Sequence, residues 1–327
     1  MATFLSGAAF GAGIFAAGLQ HPSVVASQLK FEDHQFLQAF LTATASSAVI
    51  YSSVERLGYV RLQPRGPSPL GFFGRFDGNA IGGALLGAGM ALSGSAPETL
   101  LVQVAAGIRS GLFALQGAIL GGALWAGPIS TVVRNRRQNI VVQGGVATLN
   151  DQVGVSKTVG LAIFELVCAG AVVATNAFSA NPTRSKVSGA VGGLLLGAAQ
   201  LFSLLSRRSM MGISGCYEEA GNIFWWLVNG ADCTKKPGHG SIVFGTGLVT
   251  GAFGMAYLVP QLGGTSTWEP TPILATLGGA LMAVGSRLAG GCTSGHGISG
   301  MSLLSTSSLV TMGSALIAGA AVSLLKL

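Results

Sequence analysis

The apolar residues of this 327-residue chain fall in long blocks separated by polar or glycine- and proline-containing stretches. The blocks run over Phe4–Leu19, Phe36–Ser53, Ala80–Leu92, Gly111–Val133, Lys157–Phe178, Val187–Leu205, Ser241–Val259, Pro272–Leu288 and Ser305–Leu325. A helix needs about 20 mainly apolar residues to cross a bilayer. Several blocks fall short of that, and the short ones are followed by a small-residue break and a second short apolar piece: Pro22–Leu29, Pro97–Ile108, Glu218–Val228 and Ile298–Ser305. A span that stops, breaks and restarts as a half-helix is the pattern of a re-entrant segment, which membrane proteins tolerate only inside protein or along a cavity. Paired breaks of this kind point to a transport site. The pattern predicts an all-α, polytopic helical bundle of about nine transmembrane spans with short re-entrant helices. Met1–Leu19 lacks a basic leading region and reads as a first membrane segment, not a cleaved signal.

The pattern also repeats. Gly82–Thr99 (GGALLGAGMALSGSAPET) aligns without gaps on Gly278–Gly295 (GGALMAVGSRLAGGCTSG), with seven identities in eighteen positions, four of them glycines. Gly7–Gly18 and Gly192–Leu204 are looser copies, for which GxxxG-type helix packing is an equally good reading. Four copies imply two halves of two units each: an N-terminal half over residues 1–134, a polar connector over 135–156 and a C-terminal half over 157–327.

Composition moves the picture further from a soluble protein. Charged residues are 9% of the chain and glycine contributes 51 residues, with a mean hydropathy of +0.60. Soluble domains carry about 25% charged residues, and the glycines that would weaken a helix in water let helices approach closely in lipid. The net charge of +7 comes from basic residues scattered between the blocks, with no aromatic-interleaved patch, so nucleic acid is not an expected partner. The expected surroundings are the lipid bilayer, most simply the plasma membrane. None of the four cysteines, Cys168, Cys216, Cys233 and Cys292, forms a C-x-x-C pair, and neither a metal nor another cofactor is expected.

The candidate chemistry gathers in Gly290–Gly300, GGCTSGHGISG. Cys292 and His296 stand in a run of glycines, serines and a threonine directly after a span. Such a run does not make a stable continuous helix. It can offer backbone N–H groups at the start of the next short helix, a ready anion site. Arg287 lies inside the apolar block before it and reads either as a functional charge or as a residue snorkelling to the interface. His296 reads equally as a pathway residue or a hydrogen-bonding loop residue. Other polar residues near the breaks are His21, Ser93, Ser95, Glu98, Thr99, Gln103, Glu218 and Glu219. Glu98 is expected to be protonated, paired with Arg109, or facing water. Glu165 needs a hydrogen-bond partner or a proton, Cys168 reads as packing, and Cys233 as a loop residue.

GGCTSGHGISG resembles the Gly-Cys-Thr-x-Gly-His-x-x-Ser-Gly signature of the YeeE/YedE family of sulfur-compound transporters. Gly7–Leu29 resembles the opening of the small, half-length members. Gly87–Gly107 (GAGMALSGSAPETLLVQVAAG) resembles their second motif, Gly-x-Cys-Pro-Gly-Thr. Arg207–Asn222 (RRSMMGISGCYEEAGN) resembles the Arg-Ser-x-Phe-Cys-x-x-Gly-Ala segment of longer members. The likeness spans nearly the whole chain, as if two half-length proteins were fused. It implies an inverted-repeat bundle whose re-entrant helices meet near mid-membrane, and uptake of thiosulfate past cysteines that touch sulfur weakly without covalent change. Two of the family's cysteine positions are here Ala96 and Gly212, with Cys216 four residues beyond the second.

The resulting expectation is a non-enzymatic transporter of a small sulfur-containing, thiosulfate-like anion. Cys292 contacts the substrate sulfur and Arg287 supplies positive potential. Thr293 and the Gly291–Gly297 backbone, His296 included, supply donors. Ser95 and the Ala96–Thr99 turn form the opposite wall, and Cys216 is a secondary candidate. A sulfur-accepting partner protein is compatible with this reading. The alternatives are a membrane sulfurtransferase carrying a persulfide on Cys292 and a pathway for a non-thiosulfate anion.

Overall fold

The computed structural model describes residues 1–138, 140, 148–178, 186–232, 234, 236–263 and 268–325. Cys233 and part of the 135–156 connector lie outside the described residues. Among those described the chain is helical, with a single isolated bridge between Thr148 and Ser305 and no strand. The helices are α1 (Ala2–Ala16), α2 (Pro22–Leu29), α3 (Gln35–Arg56), α4 (Asp77–Ser93), α5 (Pro97–Ala105), α6 (Arg109–Leu124), α7 (Ser130–Gln138), α8 (Leu149–Val153), α9 (Lys157–Phe178), α10 (Gly189–Arg207), α11 (Ser214–Val228), α12 (Gly240–Leu258), α13 (Pro272–Ala289) and α14 (Thr306–Leu324). A π-turn at Trp125–Ile129, which holds Pro128, joins α6 to α7. A π-helix over Thr293–Gly300 and a 3₁₀ turn over Met301–Leu303 join α13 to α14.

Among the described residues seven helical stretches are long and apolar enough to cross a membrane: Asp77–Ala105, Arg109–Gln138, Lys157–Ala177, Gly189–Arg207, Gly240–Leu258, Pro272–Ala289 and Thr306–Leu324. The first of these joins α4 and α5 into one 29-residue stretch across the Gly94–Ala96 break. Of the other predicted blocks, α1 is apolar but has only 15 residues. α3 has the length but is more polar, burying Gln35, Gln38, Thr44 and Ser47 within the bundle. α9 is the converse: it packs along α3 and leaves Leu166, Val167 and Val173 exposed, an apolar surface suited to lipid. Cys168 on it is buried, as its packing reading expected. Of the two ways expected to hold Glu165, a hydrogen-bond partner or a proton, the partner is absent at Oε1 among the described residues.

The repeated glycines are where helices cross. A Cβ added at Gly82 would lie 2.6 Å from the Gly285 carbonyl oxygen, and one added at Gly285 2.6 Å from that of Gly82. Gly89 and Gly278 make the same reciprocal contact, at 2.5 and 2.6 Å. Under the repeat alignment Gly82 corresponds to Gly278 and Gly89 to Gly285, so each contact maps onto the other. α4 and α13 therefore run antiparallel about a local two-fold perpendicular to both. Other packings obey the same exchange. α1 lies on α12 and its counterpart α10 on α3; α4 lies on α14 and its counterpart α13 on α6. Gly83 is closed by the Thr311 carbonyl of α14 and its repeat partner Gly279 by the Ala114 carbonyl of α6. The N- and C-terminal regions thus interlock and share one buried core that includes Phe10, Ile14, Leu100, Leu248, Met282 and Cys292.

Candidate site at two helix breaks

α4 and α13 end in the same way. Gly94 (φ 60°) and Gly290 (φ 86°) take the left-handed conformation that closes a helix without a Cβ penalty. Two residues on, extended backbone at Ala96 and at Cys292 caps the following helix. Ala96 and Cys292 are thus equivalent positions in the repeat. After Ala96, Pro97 starts α5 with its fixed φ and missing N–H, and the Ala96 N–H donates to Thr99 Oγ1 at 2.7 Å. After Cys292 the chain makes the wide Thr293–Gly300 turn, fully buried throughout. Here the expectation of broken helix is amended: glycines and serines support π geometry, and bare Gly297 receives the Phe40 ring.

The two helix starts meet. Thr293 Oγ1 lies 2.8 Å from both carboxyl oxygens of Glu98. Cys292 has no exposed surface, and its Sγ is 3.2 Å from Ser294 Oγ. Ser95 donates to Gln103 Oε1 at 2.6 Å, and Gln103 returns a hydrogen bond to the Gly94 carbonyl, so the α4–α5 break is internally braced. Glu98 is 4% exposed and bonds to Thr293, so it neither faces water nor pairs with Arg109.

Other predicted residues are turned elsewhere. His296 engages Ser308 Oγ (2.9 Å) through Nδ1 and the Ala289 carbonyl (3.0 Å) through Nε2, both roles holding the loop in place. Arg287 pairs with Glu218, which also accepts from Trp125 Nε1. Cys216 Sγ packs at Gly245 of α12, beside Leu101 and Ile213. A Cβ at Gly212 would instead face Gly295 and Arg65, each 3.9 Å away, so Cys216 does not reach the place a cysteine at 212 would occupy.

Arg65, read from the sequence only as loop punctuation, is the cation that sits on this segment. Its Nε donates to the Gly295 carbonyl at 2.6 Å and its Nη1 to the Gly290 carbonyl at 2.8 Å, while Ser305 and Ser307 both donate to its own carbonyl at 2.9 Å. A Cβ on Gly291 or Gly295 would lie 3.0 or 2.8 Å from its guanidinium. The loop carrying it is pinned by Asp77, which accepts from the N–H groups of Leu70 and Phe72, and by Asn79, which accepts from that of Ser68. Tyr217 was also missed; its hydroxyl donates to the Pro97 carbonyl at 2.6 Å. An apolar cavity of about 320 Å³ between α2, α3, α4 and α14 reaches Thr293. Its walls are mainly apolar, among them Phe36, Phe40, Met90 and Met312, with polar groups at Gln28 and Thr293.

Residues 19–322 match the sulphur transport family. The thiosulfate transporter TsuA of Spirochaeta thermophila is 24% identical over 294 residues, covering 86% of this chain and 84% of that protein. A probable transporter of Xylella fastidiosa is 35% identical over 134 residues, covering 40% of this chain but 87% of its own length. These relatives are transporters, in agreement with the expectation that the chain is not an enzyme. With its apolar helices, the match makes this an integral, multi-pass membrane protein that belongs to the sulphur transport family.

Proposed function

We propose that this protein carries a small sulfur-containing anion of the thiosulfate type across the membrane, along a path that passes the two helix breaks. The observation that carries this reading is the meeting of the Ala96–Thr99 and Cys292–Gly295 helix starts through the Thr293–Glu98 hydrogen bond. Helix starts present unpaired N–H groups and partial positive charge to an anion. Arg65 adds a full charge one loop away. Cys292 supplies a thiol, a weak donor matched to a soft terminal sulfur and weak enough to release it. The family match and the thiosulfate-transporting relative support the substrate class.

The architecture that goes with this reading has about nine spans, counting α1 and α3. α2, α5, α11 and the Thr293–Gly300 helix are then re-entrant, and the halves 1–134 and 157–327 form an inverted repeat. The antiparallel reciprocity of α4 and α13 supports the inversion. The half-length relative supports the two-unit reading. The membrane is taken to be the plasma membrane, and delivery of sulfur to an accepting partner protein fits uptake. In the sulfurtransferase alternative Cys292 would need an activating base, and both His296 ring nitrogens are already engaged elsewhere.

The test is uptake of radiolabelled thiosulfate into proteoliposomes, with Cys292→Ala beside wild type. Uptake in the variant should fall to the level of empty vesicles while helix content and thermal midpoint stay unchanged. Full uptake by Cys292→Ala would remove the thiol from the path, and no uptake by folded wild type would remove thiosulfate.

A further inference from the structure

Glu98 is a carboxyl at the second position of α5, 4% exposed, with no ion pair to Lys, Arg or His among the described residues. What holds it is a set of dipoles. Thr293 Oγ1 lies 2.8 Å from both its oxygens. A hydroxyl has one hydrogen and can serve one oxygen at a time. Ser294, the residue after Thr293, brings a second hydroxyl to the same turn. Ser294 in turn lies 3.2 Å from the Cys292 sulfur. These hydroxyls and helix-start N–H groups are the donors that an oxyanion in contact with Cys292 would use.

We infer that Glu98 is a tethered internal anion that competes with the transported anion for these donors, so that each anion taking its place drives one proton onto Glu98. The inference rests on the transport reading above. Two unpaired negative charges side by side in a buried site repel strongly. Displaced from Thr293, the carboxylate has a small void beside it walled by Phe10, Ile14, Phe36, Leu196 and Ile298. In apolar surroundings a carboxylate without partners takes up a proton instead of remaining charged. The step balances simply: the anion enters, the carboxylate gains a proton from water and becomes a neutral acid, and both changes reverse on exit.

Among the described residues no neighbouring element offsets this charge. α1 and α12 bring no ionisable side chain to Glu98. α6 carries Arg109 at its first residue, and α13 carries Arg287, held by Glu218. On α11, Glu219 accepts from the N–H groups of Ser241 and Ile242, Tyr217 donates to Pro97, and Cys216 packs at Gly245. The 290–300 segment brings Cys292 and a His296 already satisfied, and Arg65 is bound to the carbonyls of Gly290 and Gly295.

The experiment uses the full-length protein and two readouts. In weakly buffered detergent solution, thiosulfate binding to wild type should take up about one proton per anion, the reciprocal of tighter anion binding at lower pH. The infrared spectrum should gain a carboxylic C=O band with thiosulfate that Glu98→Gln lacks. In proteoliposomes wild-type uptake should rise several-fold as pH falls by one unit, whereas Glu98→Gln should be faster than wild type at neutral pH and flat with pH. Thiosulfate does not titrate in this range, so the slope belongs to the protein. Binding or uptake without proton uptake, or an unchanged pH profile in Glu98→Gln, overturns the inference and leaves transport standing. The proton count on wild type decides the matter even if Glu98→Gln fails to fold. Absence of thiosulfate binding and uptake at every pH overturns both readings together.

Discussion

The glycine contacts between α4 and α13 make a quantitative prediction. In Gly89→Ala the new Cβ would lie 2.5 Å from the Gly278 carbonyl oxygen and 2.7 Å from the backbone nitrogen of Met282. Ordinary contact begins near 3.4 Å, so the helices must part by the better part of an ångström, because the obstacles include backbone. Overpacking of this kind costs about 1–3 kcal/mol. Gly278→Ala meets the Gly89 carbonyl at 2.6 Å and strains the same crossing. Once one alanine has opened the crossing, the second has less to displace, so the double variant should cost less than the two singles added, by about 0.5 kcal/mol or more. Gly170→Ala is the control: it adds the same methyl at a helical glycine with nothing within 4 Å. The assay is thermal unfolding of purified protein in detergent, followed by circular dichroism, with uptake measured on the same samples. Both crossing variants should melt several degrees below wild type and carry less anion, since α4 and α13 bear the two breaks. Gly170→Ala should match wild type. Equal damage at Gly170, or an unshifted midpoint in Gly89→Ala, would refute the close-approach argument.

Three further predictions concern the site. Arg65→Met removes two charge-assisted hydrogen bonds and an unpaired charge, and should depress anion uptake more than tenfold, with Arg65→Lys only partly restoring it because an ammonium cannot make the forked contact to Gly290 and Gly295. Arg287→Met, whose partly exposed charge is spent on Glu218, should reduce uptake several-fold less in the same assay and cost about 1 kcal/mol or less in stability. Gly212→Cys should fold like wild type, its Cβ meeting nothing nearer than 3.9 Å, and should raise thiosulfate uptake by placing a second thiol opposite Gly295; unchanged uptake in the folded variant would remove position 212 from the path.

What could be read from the sequence was what is local. The glycine spacing marked α4 and α13 as copies of one repeat, whereas their crossing over each other was visible only in the structure. The breaks at Gly94–Ala96 and Gly290–Cys292 were visible because small residues interrupt apolar blocks, and Cys292 stood out within one of them. The Thr293–Glu98 bond could not be read, since it joins residues 195 positions apart in chain order. Glu98 nevertheless stands where the quoted second motif has glycine, a local departure that the sequence reading passed over. Arg65 was invisible for a different reason. It lies in a stretch between α3 and α4 with neither period nor motif, and its importance comes from Asp77 and Asn79 fixing that loop over the end of α13. Arg287 misled because a charge in an apolar block draws attention whether or not a partner such as Glu218 awaits it.

The equivalence of Ala96 and Cys292 has a consequence for how the two sides of the membrane differ. If the proposed inverted repeat has its two-fold in the membrane plane, both faces share the same backbone, and the scaffold alone would treat an ion arriving from either side alike. Here one helix start carries a methyl group and the other a sulfhydryl. On the proposed transport path, the sidedness of recognition would be written in the side chains that differ between the two helix starts, Ala96 against Cys292 and Glu98 against Ser294 among them. Net flow still follows the gradient, but the affinity met on arrival need not match the affinity met on departure, and exchanging the residues at 96 and 292 would shift that difference without altering the frame.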